Sequence, residues 1–147
     1  MTEARAPELV PPRIAPLPSL PLFHKIEGKK AVVAGGSPGA LWKAELLSAA
    51  GARVLVLAGH PTAAKLFEDL VARPINGPVT VRARRWRVKD LAGAVLAVGD
   101  LASEGEAEAF AAAARAAGAP VNLIDRTEAC DVQFGTIVNR APLVLAI

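Results

Sequence analysis

The stretch Lys29-Lys30-Ala31-Val32-Val33-Ala34-Gly35-Gly36-Ser37-Pro38-Gly39-Ala40 decides how the rest of the chain is read. Ala31 to Ala34 are small and apolar without a break, the composition of a strand buried on both faces. Glycines follow at once, and Leu41-Trp42-Lys43-Ala44-Glu45-Leu46-Leu47 continues as a helix. Strand, glycine turn and helix N-terminus in immediate succession make an anion cradle. Glycine lets the backbone come close, and the unpaired N–H groups of the first helical turn face the ligand. On this reading Gly35, Gly36, Ser37, Pro38, Gly39 and Ala40 form a dinucleotide-binding turn. The G-x-G-x-x-G/A pattern is broken where Ser37 stands in place of a glycine. Shifted back by one residue, it meets Ala34 instead of its first glycine. Ser37 then Pro38 is also ordinary helix-start chemistry, so a tight βα turn without a ligand is the competing reading. The Ser37 Cβ stands where a pyrophosphate approaches, while its hydroxyl has a proton to donate to a phosphate oxygen.

Outward from this turn, strands and helices alternate. The strand at 30–34 leads to a helix over 38–50 that Gly51 ends, and residues 53–58 form a second buried strand. A helix near 62–73 is stopped by Pro74, and the alternation of residues 79–84 predicts a partly exposed edge strand. Residues 94–98 make a fourth strand. Ser103 opens an Ala-rich helix, with Glu106 completing a capping box and Gly118 ending it. Residues 121–124 form a fifth strand that closes on Asp125, and residues 135–147 read as two strands around Asn139-Arg140-Ala141-Pro142. Parallel strands joined by helices predict an α/β fold, a Rossmann-like open sheet with helices on both faces and a short terminal hairpin. Ligands in such sheets bind at the C-terminal strand ends, where Gly35, Gly59-His60, Gly99-Asp100 and Asp125 all fall.

With 147 residues the chain has the length of one domain. Prolines 7, 11, 12, 16 and 18 mark residues 1–19 as an extended, flexible leader, and the folded unit is expected over 20–147. No stretch approaches a membrane span, and no signal pattern opens the chain, so a membrane partner is not expected. Cys130 is the only cysteine, which fits a reducing cytoplasm. A net charge of +3 suits an anionic small molecule and a nucleic acid equally.

A nicotinamide-cofactor domain usually ends its second strand on an acid that binds the ribose. Ala58-Gly59-His60 has none, so NAD and NADP both remain open. Asp125 ends a wholly apolar strand, the place of a catalytic carboxylate and equally of a turn before Arg126-Thr127. Asp100 carries the same two readings, with the capping Ser103 close behind it. Arg82, Arg84, Arg85, Arg87 and Lys89 around Trp86 lack any accompanying nucleic-acid motif, and a cation-guarded edge strand accounts for them. No spacing of Cys130, His24 and His60 suits a metal.

The order of these segments resembles the siroheme synthase N-terminal domain, the precorrin-2 dehydrogenase/sirohydrochlorin ferrochelatase family. The likeness begins at Leu20-Pro21-Leu22-Phe23, runs through the glycine turn and Leu41-Trp42-Lys43-Ala44, and continues at Gly51-Ala52-Arg53-Val54 and residues 96–100. It is most specific in Val121-Asn122-Leu123-Ile124-Asp125, Ala129-Cys130-Asp131 and residues 137–147. The resemblance implies NAD-dependent oxidation of precorrin-2 to sirohydrochlorin, often followed by Fe²⁺ insertion, with Asp125 as the residue used in both steps. It adds Gly99 and Asp100 to the cofactor rim. It also makes Asn122, Arg126 and Arg140 candidates for contact with a polycarboxylate substrate. Three departures stand out: Ser37 in the glycine turn, Val132-Gln133-Phe134-Gly135-Thr136 after the Cys-Asp pair, and the end of the sequence at Ile147. The family continues there into a helical region that dimerises and helps close the tetrapyrrole site. Without that region the sequence reads as a fragment or as a chain that needs a partner; the family's dimer implies a homodimer, and a non-catalytic nucleotide- or tetrapyrrole-binding module is the alternative reading.

Overall fold

The computed structural model of the chain describes residue 10 and residues 13–146. Five parallel strands form one sheet: β1 (Lys30–Ala34), β2 (Arg53–Leu57), β3 (Val79–Arg82), β4 (Ala94–Gly99) and β5 (Val121–Leu123), in the order β3-β2-β1-β4-β5. This is the expected Rossmann-like α/β architecture. The strand order reverses between β1 and β4, which opens a crevice at their C-terminal ends. The two-residue period of β1 splits its side chains cleanly. Ala31 and Val33 face a core shared with α1 (Pro38–Ala49), while Val32 and Ala34 face one shared with α4 (Glu104–Ala116). Both faces are therefore covered, and the strand reads as an unbroken apolar run for that reason.

Helix α1 starts because Ser37 caps it: the Ser37 Oγ accepts from Ala40 N at 3.1 Å, and Pro38 takes a position that needs no N–H donor. Its buried stripe is Ala40, Ala44 and Leu47, and buried Ser48 donates to Gly77 O at 2.7 Å to pin the loop before β3. On the other face Phe110 is fully buried, worth about 1.5–3 kcal/mol. Gly99 makes room for it, since a Cβ there would come within 2.8 Å of Phe110 Cδ1.

Some elements differ from expectation. The predicted helix over 62–73 is broken: α2 (Pro61–Ala64) and α3 (Glu68–Ala72) flank a 3₁₀ turn (Lys65–Phe67) that seats Phe67 in the core. Ser103 caps α4 through Glu106 N at 3.2 Å, but the Glu106 carboxylate turns to Arg85 at 3.0 Å instead of closing a capping box. The edge strand stops at Arg82 because the next arginines have partners. Arg84 forms a bidentate pair with buried Asp90 at 2.9 Å, and Trp86 packs edge-on against Phe110. The basic run is thus largely a structural strap over α4.

The leader of residues 1–19 lies mostly outside the described residues. Residues 13–25 are exposed and carry no helix or strand, and among the described residues Ile26 is the first buried side chain. The expected hairpin forms from β6 (Ile137–Arg140) and β7 (Leu143–Ala146), but its turn is only Ala141-Pro142, with Asn139 and Arg140 paired within β6, and every residue of both strands is exposed. Among the described residues no helix is long and apolar enough to cross a membrane.

Candidate functional site

The C-terminal rim of the sheet gathers the glycine turn, the end of β4 and the loop after β5. At the switch point, the N–H groups of Gly36, Ser37 and Gly39 have no acceptor in the described chain. Three such donors at the start of a 12-residue helix make a site for an anion. The glycines that shape it are also demanded by the protein itself. A Cβ on Gly35 would lie 2.6 Å from Asp100 O, and one on Gly36 would lie 2.8 Å from Ala58 O and press into Ala63. Gly39 is different: a methyl there would meet nothing nearer than 3.5 Å. The Ser37 hydroxyl, besides capping α1, bonds to the Asp100 carboxylate across the crevice. The backbone donors fit a phosphate, and the Asp100 charge beside them opposes it.

At the end of β2, the Gly59-His60 pair forms the next helix start. His60 Nδ1 accepts from Ala63 N at 3.2 Å, so this histidine acts as a helix cap.

Asp125 stands at the end of β5 with φ +61°, and among the described residues it alone, apart from glycines, has a positive φ. Aspartate tolerates this left-handed conformation better than most side chains, and such residues cluster at functional sites. The loop carrying it is tied down by its neighbours. Cys130 Sγ accepts from Leu123 N at 3.1 Å and lies 3.3 Å from Leu123 O. Asp131 accepts from Val121 N at 3.0 Å and pairs with Arg115, whose guanidinium holds the Asp131 carboxyl below its ordinary range. Asn122 is buried, and its side-chain amide donates to Val132 O at 3.0 Å.

Asp125, Asn122, Thr127, Cys130, Gln133 and Phe134 line a cleft of about 300 Å³ together with Lys43 from α1. Lys43 does not emerge from motif reading, because a lysine on a helix looks like any solvated charge. Here its Nζ lies 3.9 Å from the Phe134 ring centroid and 4.8 Å from that of Trp42. Burial pushes the Lys43 ammonium below its ordinary pKa, with Cys130 opposing the shift. Lys43 lies on the second turn of the helix that the glycine loop begins.

Arg126 and Arg140 are not brought to this cleft. Arg126 lines a different hollow, against α4 with Glu104, Glu108 and Arg115, because the chain turns after β5 ends at Leu123 and Asp125 takes its left-handed conformation. Arg140 sits on the exposed hairpin, donating to Asn139 O. Among the described residues no three His, Cys, Asp or Glu side chains cluster as metal ligands.

A five-stranded parallel sheet with an anion cradle at its switch point defines a Rossmann-type nucleotide-binding domain. A family model described as "Putative NAD(P)-binding" matches residues 22–136, and the chain belongs to that family. The resemblance to the siroheme synthase N-terminal domain holds. The chain is 38% identical over 128 residues to a siroheme synthase of Ectopseudomonas mendocina, 87% of this chain and 26% of that protein. Similar values hold for siroheme synthases of Stutzerimonas stutzeri, at 39% identity, and Pseudomonas aeruginosa, also at 39%. The chain therefore spans about a quarter of the length of these curated relatives. A solved structure, "SirC, precorrin-2 dehydrogenase", shares the fold with a TM-score of 0.65 at 18% identity, over 88% of this chain and 61% of that one.

Proposed function

We propose that this chain is the dehydrogenase domain of sirohaem synthesis, converting precorrin-2 to sirohydrochlorin with NAD⁺. The observation that carries the reading is Asp125, held in a left-handed conformation at the end of β5 and lining the cleft beside the switch point. Bound NAD⁺ supplies a hydride acceptor. The Asp125 carboxylate receives the ring proton that must leave when the hydride does, so that two hydrogens depart as hydride and proton. Gly36, Ser37 and Gly39 offer backbone N–H groups to the pyrophosphate. Gly35, Pro38, Ala40, Gly99 and Asp100 shape that rim, and Asn122 keeps the Asp125 loop in register through Val132. The cleft is at the small end of ligand pockets, so it takes one edge of the macrocycle. The outer carboxylates of the macrocycle meet further protein surface that completes the site, as in a homodimer, and Arg126 and Arg140 stay outside this cleft. In the same site Asp125 takes pyrrole protons during insertion of Fe²⁺, which is a substrate. A reducing cytoplasm suits the one free thiol, Cys130.

Anaerobic incubation with precorrin-2 and NAD⁺ tests this, followed by the absorbance of sirohydrochlorin with and without Fe²⁺. Turnover is expected in the wild type and its loss in Asp125→Ala. Normal turnover by that variant removes Asp125 from the mechanism. The second reading, a non-catalytic nucleotide- or tetrapyrrole-binding module, is favoured by the Asp100 carboxylate bonded to Ser37 at the mouth of the cradle. Dinucleotide binding without any turnover selects it.

A further inference from the structure

We infer that Lys43 is the carboxylate-recognition residue of the Asp125 cleft, receiving an acidic side arm of the tetrapyrrole on its ammonium; this rests on the reading that the cleft takes that substrate class. Lys43 is half-buried and lines the cleft with Asp125, the one acid among its lining residues. Yet no carboxylate of the described residues pairs with it, and its three N–H donors reach no acceptor. What holds the ammonium is the faces of Phe134 and Trp42. Aromatic faces attract a cation without satisfying its hydrogen bonds. The arrangement therefore fixes a partly desolvated positive charge at the cleft wall and leaves its donors free. An anionic group entering the cleft satisfies both the charge and the donors. Precorrin-2 and sirohydrochlorin are polycarboxylates, so the ligand class of the proposed reaction meets that demand, whereas a neutral ring edge does not. The two charges of the cleft then divide the work, with Lys43 orienting the macrocycle and Asp125 acting on its ring protons.

The test is equilibrium binding of uroporphyrin, a stable tetrapyrrole with eight carboxylates, followed by tryptophan fluorescence, since Trp42 adjoins Lys43. Lys43→Met keeps the length and the aromatic packing but removes the charge. It is expected to weaken binding about tenfold or more, the loss of one charge-assisted contact. Lys43→Arg is expected to remain within about threefold of wild type, since it restores the charge. Lys43→Gln reads the same difference if the methionine variant fails to fold. Added salt should weaken wild-type binding more steeply than that of either neutral variant. Equal affinity in wild type and the neutral variants overturns the inference, as does a wild type that takes up no uroporphyrin. Asp125→Asn separates the two proposals, because it should abolish dehydrogenation while uroporphyrin still binds at least as tightly as to wild type, one negative charge having left the cleft. Lys43-dependent binding in a wild type without turnover sinks the dehydrogenase reading alone.

Discussion

Ser37 does two jobs with one oxygen, and neither requires a ligand. It accepts from Ala40 N to start α1 and bonds to Asp100 across the switch point. A glycine there gives up both contacts and removes the Cβ at the mouth of the cradle. Serine-to-glycine at an N-cap costs only a few tenths of a kcal/mol. Ser37→Gly is therefore expected to melt close to wild type while binding NAD⁺ a few-fold, on the order of 1 kcal/mol, more tightly, as Asp100 is released from the cradle. Calorimetric titration checks this, and weaker binding would make the Ser37 hydroxyl a phosphate ligand. At this scale the sequence was half legible. Asp125 is readable from its place after an apolar strand, but its positive φ is not, since that follows from a loop closed by Cys130 and Asp131. Arg126 stands next to Asp125 in the chain and still faces another hollow, a separation made in the turn after β5 and invisible to strand alternation. The Lys43 role depends on Phe134, distant in sequence, and no local pattern announces it.

Among the elements, those with a single strong cause are where the sequence places them. β1, β2, β4 and β5 are buried runs with one backbone solution, and Ser37 and Ser103 fix the two long helices by capping. The helix after β2 is the counter-example, because seating Phe67 in the core tightens its middle into a 3₁₀ turn. The β3–β4 connection is the other, since alternation alone cannot reveal that Arg84 folds back on Asp90. That pair gives a pH test. Hydrogen bonds from Arg84 hold the Asp90 carboxyl below the usual carboxylate range, against the opposing effect of burial. The unfolded chain thus binds more protons than the folded one in this range, and stability rises with pH through it. The contribution of Asp90 is complete above the unfolded pKa and lost as pH falls through the lowered folded one, with Asp131 acting in the same direction. Thermal melts should show the wild-type Tm dropping below about pH 4, and less steeply in Asp90→Asn. Parallel slopes in the two proteins would discard this assignment.

For the molecule as a whole, stability is unevenly distributed. The sheet is buried on both faces, whereas all eight strand residues of the β6–β7 hairpin are exposed, with Leu143 at 57% and Leu145 at 48%. Two strands without a packed face are marginal in water. Amide exchange should therefore leave Val32, Val33 and Val98 protected longest and the hairpin least protected, by orders of magnitude in rate. Slow hairpin exchange would show that its two faces are covered in solution. Helix α1 links this solid centre to the site at two points: its first turn carries the free donors of Gly39 and its neighbours, and its second turn carries Lys43. Lys43 lies five residue steps along the helix from Pro38, roughly 7.5 Å along a stiff rod. A ligand that tilts or draws in the first turn moves the ammonium with it. Occupancy of the cradle and of the cleft then shares one coupling free energy, and by reciprocity either ligand changes the other's affinity by the same factor.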